Sequence, residues 1–268
     1  MKRLRPAPDW PQTWKDSYVY DLQEVYGAVS HRGYSYAYRN RRQATLDILG
    51  QVLVPGARVL DVAAAQGNFS LTLAEMGYHV TWNDLRSDLA GYVQLKHEHG
   101  TVEYLAGNMF ELDVAAPFDA VLITEVIEHV AHPDLFLQKA AALVRPGGYV
   151  VMTTPNGRYF RNTLPKFSEC EDASRYEAVQ FKPNADGHIF LLHPSEVRDL
   201  AARAGLDVDA LTLFTNSLTS GHLKTETMLA LLPERAVQAL EWASRRLPLG
   251  LQEVCLVHMA ARFRKPDR

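Results

Sequence analysis

A chain of 268 residues with an apolar fraction of 47% has material for one large core, or for one domain with a small addition. Its formal net charge of −3 gives no global attraction to nucleic acid or an anionic membrane, and no apolar run reaches the roughly 20 residues of a membrane span. The basic start, MKRLRPAPDWP, has no apolar stretch behind it and does not read as a secretory signal, while Cys170 and Cys255 lie far apart without metal-type spacing, so a cytoplasmic location is expected.

In chain order, Trp14, Tyr18, Leu22 and Val25 recur at helical spacing, and a second helix is expected over residues 35–49. Around its start runs HRGYSYAYRNRR, where Tyr34, Tyr36 and Tyr38 interleave with Arg39, Arg41 and Arg42. From Val59 onward the pattern alternates. Strands are expected at 58–62, 79–83, 102–105, 118–124 and 148–154, with helices at 69–75, 87–98 and 133–144 between them. Such alternation implies a mostly parallel sheet covered on both faces, with a ligand crevice beyond the carboxyl ends of its strands.

After Thr154 the period is lost. Residues 155–193 carry Arg158, Arg161, Lys166, Arg175 and Lys182 among Tyr159, Phe160, Phe167, Tyr176 and Phe181. The segment exceeds the ~12 to 15 residues usual for a structureless loop and reads as a substrate-side insertion. A helix at 194–204, a strand at 206–214, a long helix at 224–246 and a strand at 254–263 complete the chain. Residues 1–50 are thus expected to form a helical lid, and residues 51–268 the main domain.

Chemistry concentrates in four places. In VLDVAAAQGNF a strand ends near Asp61 and turns through Ala63, Ala65 and Gly67, small residues that let a ligand approach the backbone. The Asp61 carboxylate repels a pyrophosphate but suits an ammonium such as that of S-adenosylmethionine. In HVTWNDL, Asp84 follows the second strand, where an acid accepts both hydroxyls of a ribose or caps a helix, and Leu85 would lie against the base. GNMF supplies Asn108 and Met109 after the third strand. In FDAVLITEVIEHV, Glu125, Glu128 and His129 would share one face if the chain turns helical, and their donors suit Mg²⁺, Mn²⁺, Fe²⁺ or Zn²⁺. His79, His97, His99, His222 and His258 form no constellation in the sequence and read as packing or surface.

Asp61, Ala63, Ala65 and Gly67 resemble the first motif of class I S-adenosylmethionine-dependent methyltransferases, an acid followed by glycines at alternate positions, with two of the three glycines replaced here by alanine. Alanine suits a loop that needs a small residue but not one that needs a positive backbone angle. FDAVLITEVIEHV, with RPGGYVVMTTPNG following, resembles the ubiquinone-pathway O-methyltransferases and their Glu-x-x-Glu-His element. This resemblance, running from about Tyr38 to the C-terminus, implies a Rossmann-like seven-stranded, mostly parallel sheet with helices on both faces, an antiparallel last strand and N-terminal helices closing over the cofactor. It implies Arg41 or Tyr38 at the methionyl carboxylate, Asn108 at the adenine amino group and Glu125 as an orienting residue. Small-RNA terminal 2′-O-methyltransferases share the element and complete a metal site with a downstream histidine. His188 matches best here and His193 second. Without metal, His129 would act as general base beside Glu128.

The expected activity is O-methylation of a small molecule such as a sugar, a phenol or a specialised metabolite, with S-adenosylmethionine as cofactor and a divalent metal as a candidate second one. RNA ribose 2′-O-methylation is the competing reading, against which the overall acidity and the lack of an added RNA-binding domain count. A nitrogen acceptor stays open. A nucleotide-binding oxidoreductase would need G-x-G-x-x-G, of which only Gly67 is present. The two alanines also leave room for a non-catalytic cofactor-binding partner of another enzyme.

Overall fold

The strands that lead into Asp84 and Glu125 belong to one sheet and flank the strand that carries Asp61. In the computed structural model, which describes residues 1–27, 30–180 and 187–267, the strands are β1 (Arg58–Val62), β2 (His79–Asn83), β3 (Thr101–Tyr104), β4 (Phe118–Thr124), β5 (Val144–Pro155), β6 (Asp207–Asn216) and β7 (Leu256–Arg264). They lie in the order β3-β2-β1-β4-β5-β7-β6. β1 to β5 pair in parallel, and β7 runs antiparallel to both β5 and β6. This is the expected Rossmann-like sheet with its antiparallel last strand.

Helices cover both faces: α1 (Gln12–Glu24), α2 (Arg32–Gly50), α3 (Asn68–Glu75), α4 (Leu89–Lys96), α5 (Pro133–Leu143), α6 (Pro194–Arg203), α7 (Glu226–Leu231), α8 (Glu234–Ser244) and α9 (Leu249–Cys255). Side chains alternate across a strand, so neighbours in sequence go to different cores. Leu60, Val121 and Val150 join Leu137 of α5 and Leu200 of α6 on one face. Val59, Leu122 and Val151 join Leu49 of α2 and Leu73 of α3 on the other. Each such buried side chain contributes about 1.5–3 kcal/mol, so the strands are held in register by both layers. Strand order reverses between β1 and β4, which opens the crevice at their carboxyl ends.

Three expectations are corrected. The long helix over 224–246 is broken, because α7 ends at Leu231 and Pro233 stands extended (φ −65°, ψ 147°) before α8. Proline lacks the N–H a continuous helix needs and disfavours helical backbone in the residue before it. The last strand starts at Leu256, since α9 occupies the residues before it. In α1 the buried positions are Ser17 and Asp21, not the aromatic and aliphatic stripe. Among the described residues of 155–193 the regular structure after β5 is two 3-10 turns, Phe167–Glu169 and Ala173–Tyr176, while Phe181 and Lys182 lie outside the described residues. Among the described residues no helix is long and apolar enough to cross a membrane.

Candidate cofactor and acceptor site

A pocket of about 680 Å³ opens at the carboxyl ends of β1, β2 and β4, lined by Ala63, Asp84, Asn108 and Glu125 below and by Tyr38 and Arg41 above. The loop that forms its floor is left-handed three times, at Ala63 (φ 52°), Ala65 (φ 47°) and Gly67 (φ 72°). The two alanines therefore hold the angles that glycine would relieve, at about 1–2 kcal/mol each. At Gly67 a Cβ would come 2.6 Å from Val93 Cγ1, so helix α4 packs against bare backbone there. Ala64 N–H donates to Asn83 O (2.9 Å) and Gly67 N–H to Ala64 O (2.8 Å), pinning the loop to β2.

Asp61 is 1% exposed. Its Oδ2 accepts from Ser70 Oγ (2.5 Å), while Oδ1 has no donor. Burial pushes its carboxyl up to about 7, and the Asp84 charge adds to this in spite of the Ser70 hydrogen bonds. Asp84 is as buried but fully partnered. Its Oδ2 accepts from Ala65 N–H (2.9 Å) and Arg86 Nη2 (3.1 Å), and its Oδ1 from Arg86 N–H (2.9 Å) and Arg86 Nε (3.0 Å). All four acceptor positions of a carboxylate are thus filled, two of them by an arginine fork whose side chain is 53% exposed. Leu85 sits half-exposed at the mouth. Asn108 accepts from Phe110 N–H (3.1 Å) and so holds a turn, and Met109 is buried beside it.

A buried polar network, which periodicity did not reveal, fastens the N-terminal helices to this loop. Lys96 Nζ, fully buried, donates to Asp21 Oδ2 (2.6 Å), Asn68 Oδ1 (2.6 Å) and Gln66 O (2.9 Å), satisfying its three donors. Glu24 accepts from Tyr34 Oη (2.5 Å), Asn68 Nδ2 (2.8 Å) and Gln66 Nε2 (2.9 Å). The signal was an acid on the buried face of α1, seven residues after Trp14. Tyr38 lies against Phe69, and the Arg41 guanidinium stands 5.3 Å over the Tyr38 ring. Burial, followed by the Glu24 charge, raises the Tyr34 and Tyr38 hydroxyls, so both stay neutral donors.

The expected one-faced Glu-x-x-Glu-His helix does not form. Glu125 is left-handed (φ 53°) with its N–H on Thr153 O (2.9 Å), and only Ile127–His129 makes a 3-10 turn. Glu125 consequently turns toward Arg41 (3.2 Å) and His258 (3.9 Å). Burial opposes its ionisation, but Arg41 and then His258 outweigh it and hold it below the usual carboxylate range. Glu128, on the other side, accepts from Thr154 Oγ1 (3.0 Å) and has its Oε1 4.0 Å from His129 Nε2. Burial and the Glu125 charge push it well above its ordinary value.

Glu128, His129 and His188 each offer a donor atom within 4.8 Å of the others, and the two imidazoles meet edge to face at 4.9 Å. Of the four expected ligands these three come together and Glu125 stands apart from the set. His193 caps the start of α6, where its N–H donates to Glu196 Oε2 (2.9 Å), and is not in the group. Burial and His129 lower His188, leaving it a neutral base. His258, read from sequence as packing, stacks on Phe214 (5.6 Å) at the site's edge, pushed down to about 4 by burial.

Residues 31–211 match the family model described as Methyltransferase domain. The chain is 31% identical over 166 residues to ubiquinone biosynthesis O-methyltransferase of Xylella fastidiosa (strain 9a5c), covering 59% of this chain and 64% of that protein. It is 34% identical over 113 residues to the protein of the same name from Xanthomonas campestris pv. campestris (strain B100), covering 41% and 47%. The matches thus span about half to two thirds of those relatives' length. In fold the chain is similar to magnesium protoporphyrin IX methyltransferase from Synechocystis PCC 6803, solved with bound SAH, at a TM-score of 0.60 and 10% identity over 94% of each chain.

Proposed function

Since the chain belongs to the methyltransferase domain family, we propose that it moves the methyl group of S-adenosylmethionine to an oxygen of a small molecule such as a phenol or a sugar. Oxygen is favoured by the names of the relatives, ubiquinone biosynthesis O-methyltransferases. One observation carries the reading: Asp61 is a buried carboxylate with a donorless oxygen, one strand away from a second buried carboxylate, Asp84. An ammonium and a ribose at opposite ends of one nucleoside complement that pair.

In this reading Asp61 holds the methionyl ammonium, Arg41 the methionyl carboxylate and Asp84 the ribose, once the Arg86 fork has turned away. Leu85, Asn108 and Met109 bound the adenine. The bound cofactor supplies an electrophilic methyl on a sulfonium. The chain's own residues exclude water, align the acceptor and take its proton. Residues 1–50 act as the lid, residues 51–268 as the catalytic domain and 155–193 as the acceptor side.

His129, on the pocket wall, is the proton acceptor, with Glu128 behind it. The Glu128, His129 and His188 donors also fit a divalent ion of the Mg²⁺, Mn²⁺, Fe²⁺ or Zn²⁺ class, because Glu128 Oε1 is buried without a donor, and a cation beside it would offset the burial and the Glu125 charge that disfavour its anion. Such an ion would supply Lewis acidity toward the acceptor oxygen. Labelled methyl transfer against phenols, sugars and short RNAs, with and without chelator, tests this reading. Methylation of RNA alone would replace it.

A further inference from the structure

A second cleft, of about 390 Å³, lies on the outer side of α2 where it meets α8, away from the cofactor pocket. Two arginine–aromatic stacks stand at it: Arg39 over Tyr36 (4.6 Å) and Arg246 over Trp242 (3.7 Å), the indole being 59% exposed. Its acids are committed elsewhere. Glu234 takes Arg39 (2.8 Å), and Glu241 turns inward to the Asn216 N–H (3.0 Å) and the Thr219 hydroxyl.

Arg245, half-buried, forms no ion pair with a carboxylate among the described residues, and its Nε is buried with no acceptor. Asn40 Nδ2, also on the cleft wall, is buried and equally unmatched. Buried donors without partners are rare, so each of these two atoms calls for an acceptor. The α8 C-terminal dipole favours a cation at this end but does not supply an acceptor for the Arg245 Nε.

We infer that this cleft binds a small oxyanion-bearing molecule, whose phosphate or carboxylate is held by Arg245 and Asn40 and whose flat ring lies on the Arg246–Trp242 stack. Planar donors in a fixed fork match the oxygen pairs of such groups, and exposed indole offers a stacking surface. The volume falls within the range of small-ligand pockets.

The test is calorimetric titration of the full chain at fixed ionic strength with inorganic phosphate, citrate and uridine monophosphate, in saturating S-adenosylhomocysteine so that the cofactor pocket does not compete. Binding of the nucleotide is expected, weakened about tenfold by Arg245→Ala through loss of a charge-assisted bond. Trp242→Ala should weaken the nucleotide and leave phosphate unchanged. Citrate binding in place of the phosphates would assign the carboxylate form. Retained homocysteine-cofactor affinity in both variants controls for folding. No heat from any of the three in the wild type, or equal affinity in Arg245→Ala, would overturn the site.

Discussion

Arg41 Nη1 lies 3.2 Å from Glu125 Oε2, joining helix α2 to the left-handed residue that follows β4. The pair ties α2 to the strand end that lines the pocket. Arg41→Met leaves a buried carboxylate without its cation, and the expected loss is about 3 kcal/mol of stability, because breaking a buried pair costs more than replacing it. The double variant Arg41→Met with Glu125→Gln should recover stability in denaturant titrations, yet not cofactor affinity. Recovery of both would show that Arg41 acts only as a brace.

Asp61 makes the apo protein pH-sensitive. Its carboxyl is raised from 3.8 to about 7, so the native state keeps a proton that the unfolded chain has lost. Stability from this group is present in full below about pH 3.8 and falls as pH rises through about 7, by roughly 4 kcal/mol at about 1.36 kcal/mol per unit. Asp61→Asn removes the slope and stabilises the apo protein at pH 8. Wild-type affinity for the homocysteine cofactor should rise as pH increases through about 7, since ionised Asp61 is the form that binds an ammonium. A flat profile in wild type would refute the pairing.

If Asp84 holds the ribose as proposed, Arg86, whose fork occupies that carboxylate, must compete for it. Its half-exposed fork contributes at most about 1 kcal/mol after solvent screening, so Arg86→Ala should tighten cofactor binding by up to about fivefold. Weaker binding in that variant would mean that the arginine itself contacts the ligand.

The alanines at positions 63 and 65 sit at φ 52° and 47°. Glycine relieves about 1–2 kcal/mol of backbone strain and loses about 0.5–1 kcal/mol to unfolded-chain entropy. Ala63→Gly and Ala65→Gly should therefore each stabilise by about 0.5 kcal/mol, seen as a higher denaturation midpoint. Destabilisation would show that the loop is not strained.

Glu128→Gln should abolish divalent metal uptake measured by elemental analysis while His129 remains as proton acceptor. Metal-free wild-type enzyme that is active in chelator would leave His129 acting alone.

The sheet was legible because β4 and β5 carry continuous apolar runs at 120–123 and 149–152, able to bury both faces, and because strand and helix segments alternate around them. The positions of Asp61 and Asp84 at the ends of β1 and β2 were legible because each closes a strand pattern before a turn. The direction of Glu125 was not. A left-handed glutamate leaves no mark in spacing, and it sends the side chain to Arg41 instead of to the Glu128 trio. Lys96 was read only as part of a helix, since its partner Asp21 is distant in sequence and the bond is made by tertiary packing. The break at Pro233 was readable, since a proline there ends a helix whatever surrounds it.

The most direct test is titration of S-adenosylhomocysteine into the wild type and Asp84→Ala. The account predicts one cofactor per chain in the wild type and an affinity lower by about 1–3 kcal/mol in the variant. No binding to the wild type, or the same affinity in both, would contradict it.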